Sequence, residues 1–195
     1  MIGKRLTALA IAAGLCISGC SAQGQAAQSS QQAQQQENSS FATTVERHGM
    51  TVDIPSGWSV VEKDDGILVT SDYGAMVSGA KVRQLYPDAV MEEYMGMLVD
   101  ALMSSGIKLL TKNGPIDRMV GEARALYHET SNVSNGIECR GREELIFSGD
   151  DVYMVSMYAP VEQYWSHEDE LVRVFESAKP SIPQKTNIVR AAEAY

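Results

Sequence analysis

The sequence predicts an α+β domain, a mainly antiparallel sheet of about 6–8 strands with one helix packed on each face. Three observations lead there. Period-2 segments and helical stripes alternate as four strands, a helix, four strands and a helix. The links between strands are short, which favours antiparallel pairing. The last strand is apolar on both sides, with Val152, Met154 and Tyr158 against Tyr153, Val155 and Met157. Such a strand belongs at the centre of a sheet covered on both faces.

Each element has its own signal. Met50, Val52 and Ile54 alternate with Thr51 and Asp53, a half-buried strand. Pro55-Ser56-Gly57 turns the chain into Trp58-Ser59-Val60-Val61. Asp64-Asp65-Gly66 turns it again into Ile67–Thr70, and Gly74 precedes a fourth strand running to Leu85. Asp88 is placed to cap a helix whose core stripe is Met91, Tyr94, Met95, Leu98 and Leu102, ended by Gly106. Strands then follow over Ile107–Leu110, resuming at Ile116–Val120, and over Glu122–Thr130, Ile137–Phe147 and Val152–Tyr158. Ser166 and Asp169 have capping-box spacing before a last helix with Leu171, Val174, Phe175 and Ala178 on one face. Pro180 stops it.

The chain is 195 residues long, with 44% apolar and 21% charged residues, the composition of a globular protein. A domain over residues 41–180 is large enough to bury ~68% of its unfolded surface. Lys and Arg number 16 against 25 Asp and Glu, a net charge of −9. That excess disfavours nucleic acid, whose affinity comes from neutralising phosphates, and disfavours electrostatic docking on anionic lipid.

The first 40 residues read differently. Lys4 and Arg5 precede Leu6–Ile17, an uncharged run of 12 residues. A bilayer-spanning helix needs ~20 apolar residues, so this run fits the apolar region of a secretory signal instead. It ends Ile17-Ser18-Gly19-Cys20-Ser21. That string resembles the lipobox of bacterial lipoproteins: an aliphatic residue, two small residues, then the cysteine that is lipidated. The resemblance implies a diacylglyceryl group of palmitate-class chains on Cys20, cleavage between Gly19 and Cys20, and removal of residues 1–19 as signal peptide. A plain secretory signal with a chance cysteine is the alternative. Each buried acyl CH₂ contributes ~0.8 kcal/mol, so two or three chains anchor firmly. The implied location is the extracytoplasmic side of the cell membrane. In a host with two membranes, Ser21 implies the periplasmic face of the outer one. Ser21–Ser40 holds 8 Gln, 5 Ser and 4 Ala in 20 residues, with no apolar face to offset the entropy of ordering. It reads as a tether with an end-to-end distance of ~25 Å, reaching at most ~70 Å. Residues 181–195 read as a C-terminal tail that docks or frays.

The element order, with Met50-Thr51-Val52-Asp53-Ile54-Pro55-Ser56-Gly57-Trp58 as an alternating strand ending in Pro-x-Gly-Trp, resembles the PsbP-like α/β/α sandwich. That fold is shared by photosystem accessory proteins, a Ran-binding transport factor and lipoproteins of the DcrB/LpqN type. The resemblance implies a binding or accessory protein without catalysis. It also implies structural roles at Gly57, which frees the turn, and at Trp58, which plugs the core.

The chemical candidates are few. Beyond the lipobox only Cys139 remains, sharing strand parity with Ile137, Leu145 and Phe147, so it reads as a buried inert thiol. His48, His128 and His167 fit no metalloprotease spacing, and no nucleophile elbow or phosphate loop is present. Met91, Met95 and Met97 invite a copper reading, but Met95 and Met97 lie ~200° apart around a helix, so core packing explains them better. Asp64-Asp65 and Asp150-Asp151 sit beside glycines as turn formers, without the ligand spacing of a calcium loop. Arg140 and Arg142 alternate with Glu138 and Glu144 on one charged strand face, where cross-strand ion pairs are favoured over an anion site.

The sequence therefore predicts a membrane-anchored, extracytoplasmic, non-catalytic binding or accessory domain of the cell envelope, with Cys20 as its lipidation site. It carries no cofactor and no metal. Its partners are the membrane, through the lipid on Cys20, and an envelope protein or small molecule, with no nucleic acid. The alternatives are a carrier of a lipid-like or other small apolar ligand, its methionine-rich helices parting over a pocket, and a hydrolase assembled from distant residues.

Overall fold

The computed structural model describes residues 41–82 and 91–181. The signal segment, Cys20, the tether, the cap at Asp88, the end of the fourth strand at Leu85 and the tail beyond Ser181 lie outside the described residues.

Eight strands form one antiparallel sheet: β3 (Ser59–Glu62), β4 (Gly66–Thr70), β5 (Met76–Val82), β10 (Asp151–Pro160), β9 (Ile137–Ser148), β8 (Ala123–Ser134) and β6 (Lys108–Leu109) lie side by side in that order, and β7 (Ile116–Val120) also pairs with β8. The doubly apolar segment is β10, which sits centrally between β5 and β9 as its pattern requires. β8 and β9 are 12 residues each and meet at Asn135-Gly136, both with positive φ. Two successive left-handed residues form the tight turn whose twist suits a hairpin. β8 therefore runs four residues past its expected end at Thr130, pairing Ser134 with Ile137, while β9 keeps its expected start and ends one residue later, at Ser148.

The α1 helix (Met91–Ser104) covers one face of the sheet. Tyr94, Met95, Leu98 and Leu102 pack on Leu126, Leu145, Val152 and Met154, with Met91 and Met97 leaning on the same cluster. Gly106, at φ 80°, ends the helix, and the Ile107 amide closes back on the Leu102 carbonyl.

The opposite face departs from the expected single helix in three ways. First, the Met50–Pro55 strand (β2) is not in the main sheet. It forms a separate three-stranded sheet with β1 (Phe41–Arg47) and β11 (Lys179–Pro180). Met50 of this sheet packs so closely over Gly79 of β5 that a Cβ there would strike its sulfur, 2.8 Å away. Secondly, the last helix has a short forerunner, α2 (Val161–Ser166), before α3 (Glu168–Ser177), the two separated at His167 (φ −126°, ψ 21°). No capping box forms. Ser166 Oγ bonds back to the Glu162 carbonyl, because Ser166 ends one helix instead of opening the next. Thirdly, α3 stops at Ser177, and Pro180 then pairs with Met50 in β11. Tyr164, Leu171, Val174 and Phe175 are fully buried from this side, each contributing about 1.5–3 kcal/mol. No helix among the described residues is long and apolar enough to cross a membrane.

Candidate functional site

Strand β9 has a polar residue on each side at its middle. Odd positions Cys139, Gly141, Glu143 and Leu145 face α1, and even positions Glu138, Arg140, Arg142 and Glu144 face α2 and α3. Adjacent Glu143 and Glu144 are thus both buried, on opposite faces.

Among the described residues, Glu143 is met by hydroxyls and by no cation. Register places Ser156 of β10 opposite it, and Ser156 Oγ donates to Glu143 Oε2 at 2.5 Å. Tyr158 OH donates to Oε1 at 2.7 Å and accepts from Thr130 at 3.4 Å. Tyr158 reaches across because its opposite residue is Gly141, where any Cβ would collide with the Tyr158 ring and the Met157 carbonyl. With no cation in contact, burial pushes the Glu143 carboxyl up to about 7, the two hydroxyls opposing only in part. On the other side of Glu143, His128 is buried and its Nδ1 lies 3.1 Å from Thr111 Oγ1. The Glu129 amide donates to the same oxygen, which has room for both contacts, and burial lowers the His128 pKa.

Glu144 is met by a guanidinium. Arg118 of β7 binds it with two parallel bonds, 2.5 and 2.7 Å, and lies over the Phe175 ring. Burial pushes the Glu144 carboxyl up and Arg118 opposes it, while burial works against Arg118 and Glu144 holds its charge in place. Next along the face, Arg142 lies over Tyr127, and Arg140 lies over Tyr164 and Trp165, at 5.4 and 4.6 Å. Both arginines reach toward Glu129: Arg140 Nη2 donates to it at 2.8 Å, and Arg142 Nη2 stays 3.8 Å away. Arg140 Nε, Arg142 Nε and the Tyr164 hydroxyl are buried without a partner. An unmet buried polar group costs roughly 1–3 kcal/mol; this face leaves three such groups able to donate, whereas the Glu143 face leaves one acceptor, Asn132 Oδ1.

The third cluster holds Trp58. It packs against the core cluster, as expected, but half-buried from the rim and not enclosed within it. Its indole N–H and the Tyr73 hydroxyl both donate to Glu170 Oε1, at 3.0 and 2.9 Å. Tyr73 stacks on His167 with centroids 4.1 Å apart, pinning the start of α3 to the β3–β5 end of the sheet. Gly57, at φ 89°, makes the turn before it as expected.

Other candidates fall where their residue types suggested. Cys139 is buried, Asp64 and Asp65 are exposed at the β3–β4 turn, and Asp151 pairs with Lys81 at 2.7 Å. No group of three metal-ligating side chains occurs among the described residues. The expected ion pairs of Arg140 and Arg142 are present, with Glu129 as the shared carboxylate. Glu143 was missed, although its parity with Cys139 and Leu145 already placed an acid on a core face. Tyr164 and Trp165 were missed because α2 was not read as a helix.

Neither a family model nor any curated protein matches the chain. Solved structures do. The cyanobacterial PsbP (CyanoP) of Synechocystis superposes with a TM-score of 0.50 at 11% identity, covering 68% of this chain and 87% of its own. The Saccharomyces cerevisiae Ran-binding protein Mog1p gives 0.50 at 11%, covering 71% and 95%. The domain has a PsbP-like fold. LpqN of Mycobacterium tuberculosis, involved in cell envelope biogenesis, gives 0.47 at 14%, covering 72% and 90%. At such identities a PsbP-like fold says how the chain is built, and the side chains on it must say what it does.

Proposed function

We propose that this protein is a lipid-anchored, extracytoplasmic binding protein of the cell envelope, held by acyl chains on Cys20 and acting without catalysis. The observation that carries the reading is the register of Lys4-Arg5, the 12-residue apolar run and Ile17-Ser18-Gly19-Cys20, followed by a Gln- and Ser-rich tether before a folded domain. The side chains support binding over catalysis. Ser156 gives its hydrogen to an acid, His128 is engaged by Thr111, and around Glu129 the buried polar atoms left over belong to Arg140, Arg142 and Tyr164. The PsbP-like fold serves binding in Mog1p, a Ran-binding protein.

Chain recovered from its host's envelope is expected to lack Met1–Gly19 and to carry acyl mass on Cys20, and Cys20→Ala is expected to remain unacylated and leave the membrane fraction. Recovery with Met1–Gly19 attached and no acyl mass overturns the anchor. Native mass spectra showing stoichiometric lipid inside the domain would turn the reading toward a carrier.

A further inference from the structure

We infer that Arg140, Arg142 and Trp165 form a binding site for a monocarboxylate with a flat apolar body. The inference deepens the reading of the domain as a binding module, and it stands on side chains far from Cys20.

Two guanidiniums carry ten N–H donors. Among the described residues they make one hydrogen bond, Arg140 to Glu129. Arg142 makes none: it holds itself over Tyr127 and stands 3.8 Å from the same carboxylate, beyond hydrogen-bond reach. Glu144, on the same face, is not available to it, because Arg118 already occupies both its oxygens. Within ion-pair distance the two arginines therefore share one carboxylate, Glu129, while exposed Glu138 lies on the same face without reaching them. Every polar group lacking a partner here is able to donate: Arg140 Nε, Arg142 Nε and Tyr164 OH. Unmatched donors on cationic groups call for an anionic acceptor, and the planar guanidinium suits a carboxylate in two-point contact.

The remainder of the ligand follows from the aromatics. Trp165 caps Arg140 at 4.6 Å and is 54% exposed, while its neighbour Tyr164 is fully buried. A fixed, open indole face beside a carboxylate-binding guanidinium suits a ring or other flat apolar group next to the acid. A phosphate dianion is disfavoured, since it would leave excess negative charge beside Glu129 in an acidic domain. Glu129 is the internal competitor: it already holds one oxygen on Arg140 and limits what an outside carboxylate gains.

The test uses the full isotope-labelled chain, benzoate, acetate and inorganic phosphate, followed by NMR. The chain has two tryptophans, so Trp58, bonded to Glu170 elsewhere, is an internal control for Trp165. Benzoate is expected to shift the Trp165 indole N–H saturably, leave Trp58 in place and bind more tightly than acetate or phosphate. Arg142→Met is expected to weaken benzoate at least tenfold, and Glu129→Gln to tighten it severalfold. If Arg142→Met does not fold, Trp165→Ala, at an exposed position, is expected to weaken benzoate severalfold with acetate unchanged. A benzoate shift that never saturates, equal affinity in the variant tested, weaker binding in Glu129→Gln, or phosphate binding tighter than benzoate overturns the site. None of these results touches the acyl mass on Cys20, so failure of this site and failure of the anchor remain separate.

Discussion

Glu143 and Glu144 are neighbours in sequence, both buried, and they have opposite fates. Strand alternation sends Glu143 toward α1, where β10 supplies Ser156 and Tyr158, and sends Glu144 toward α3, where β7 supplies Arg118. Hydroxyls share a proton with a carboxyl but cannot balance its charge, so Glu143 titrates near neutrality. A bidentate guanidinium supplies the opposite charge, so Glu144 is half of an ion pair, although burial still holds its carboxyl above the usual range. The same side chain at the same depth is therefore a proton holder on one face and half of an ion pair on the other. The difference lies wholly in the type of donor that the adjoining strands bring.

The harshest way to break this comparison is to take the cation from Glu144. Arg118→Met is expected to cost about 3 kcal/mol in urea unfolding, the low end for a broken buried pair because Arg118 keeps some solvent contact. Arg118→Met with Glu144→Leu should recover most of it, and no recovery would show that the pair is not the source of the loss.

Glu143 should show itself through pH. Its folded carboxyl titrates at about 7 against 4.5 for the ordinary group, so between those values the folded state binds a proton that the unfolded state has released. This contribution is fully present below 4.5 and is lost as pH rises through 7. At ~1.4 kcal/mol per unit, roughly 3 kcal/mol disappears across the window. Glu143→Gln should match the parent at pH 5 and exceed it in denaturant midpoint at pH 8; parallel profiles would mean the carboxyl is not the titrating group.

Tyr158→Phe sharpens the contrast at lower cost. Removing a donor from a carboxyl that has only two should destabilise by about 1–2 kcal/mol and move the Glu143 titration further upward, read from its side-chain ¹³C shift. A downward move would mean that the phenol does not stabilise the anion.

Glu170 offers the mildest case, a part-exposed carboxylate served by Trp58 and Tyr73. Glu170→Gln retains an acceptor, so a loss of about 1 kcal/mol or less is expected in thermal unfolding, alongside a lower Tyr73 pKa. A larger loss would place this rim cluster among the main supports of α3.

Much of the fold was legible because periodicity reports burial. Met50–Ile54, Ile67–Thr70, the stripe of α1 and doubly apolar β10 all announced themselves. What stayed hidden has little burial to report. In β1, Thr43, Thr44, Glu46 and Arg47 are exposed and only Val45 is half-buried among residues 43–47; the strand pairs through its backbone with β2, so no apolar rhythm marks it. The α2 helix lasts six residues, too short for a stripe, and it hid Tyr164 and Trp165 with it. The β2 strand was recognised but assigned to the main sheet, since alternation shows that one side is covered without saying by what.

Sequence alone determined the antiparallel α+β class, the central place of β10 and the burial of Cys139, because each follows from which residues alternate and how far apart they lie. Tertiary structure alone decided the charge on Glu143, the partner of Glu144 and the shortage of acceptors around Arg142. Those depend on strand order and register, which bring β8 and β10 beside β9 and place β7 next to β8, within reach of Glu144. Alternation tells a side chain which face it is on, and only the neighbouring strands decide what it meets there.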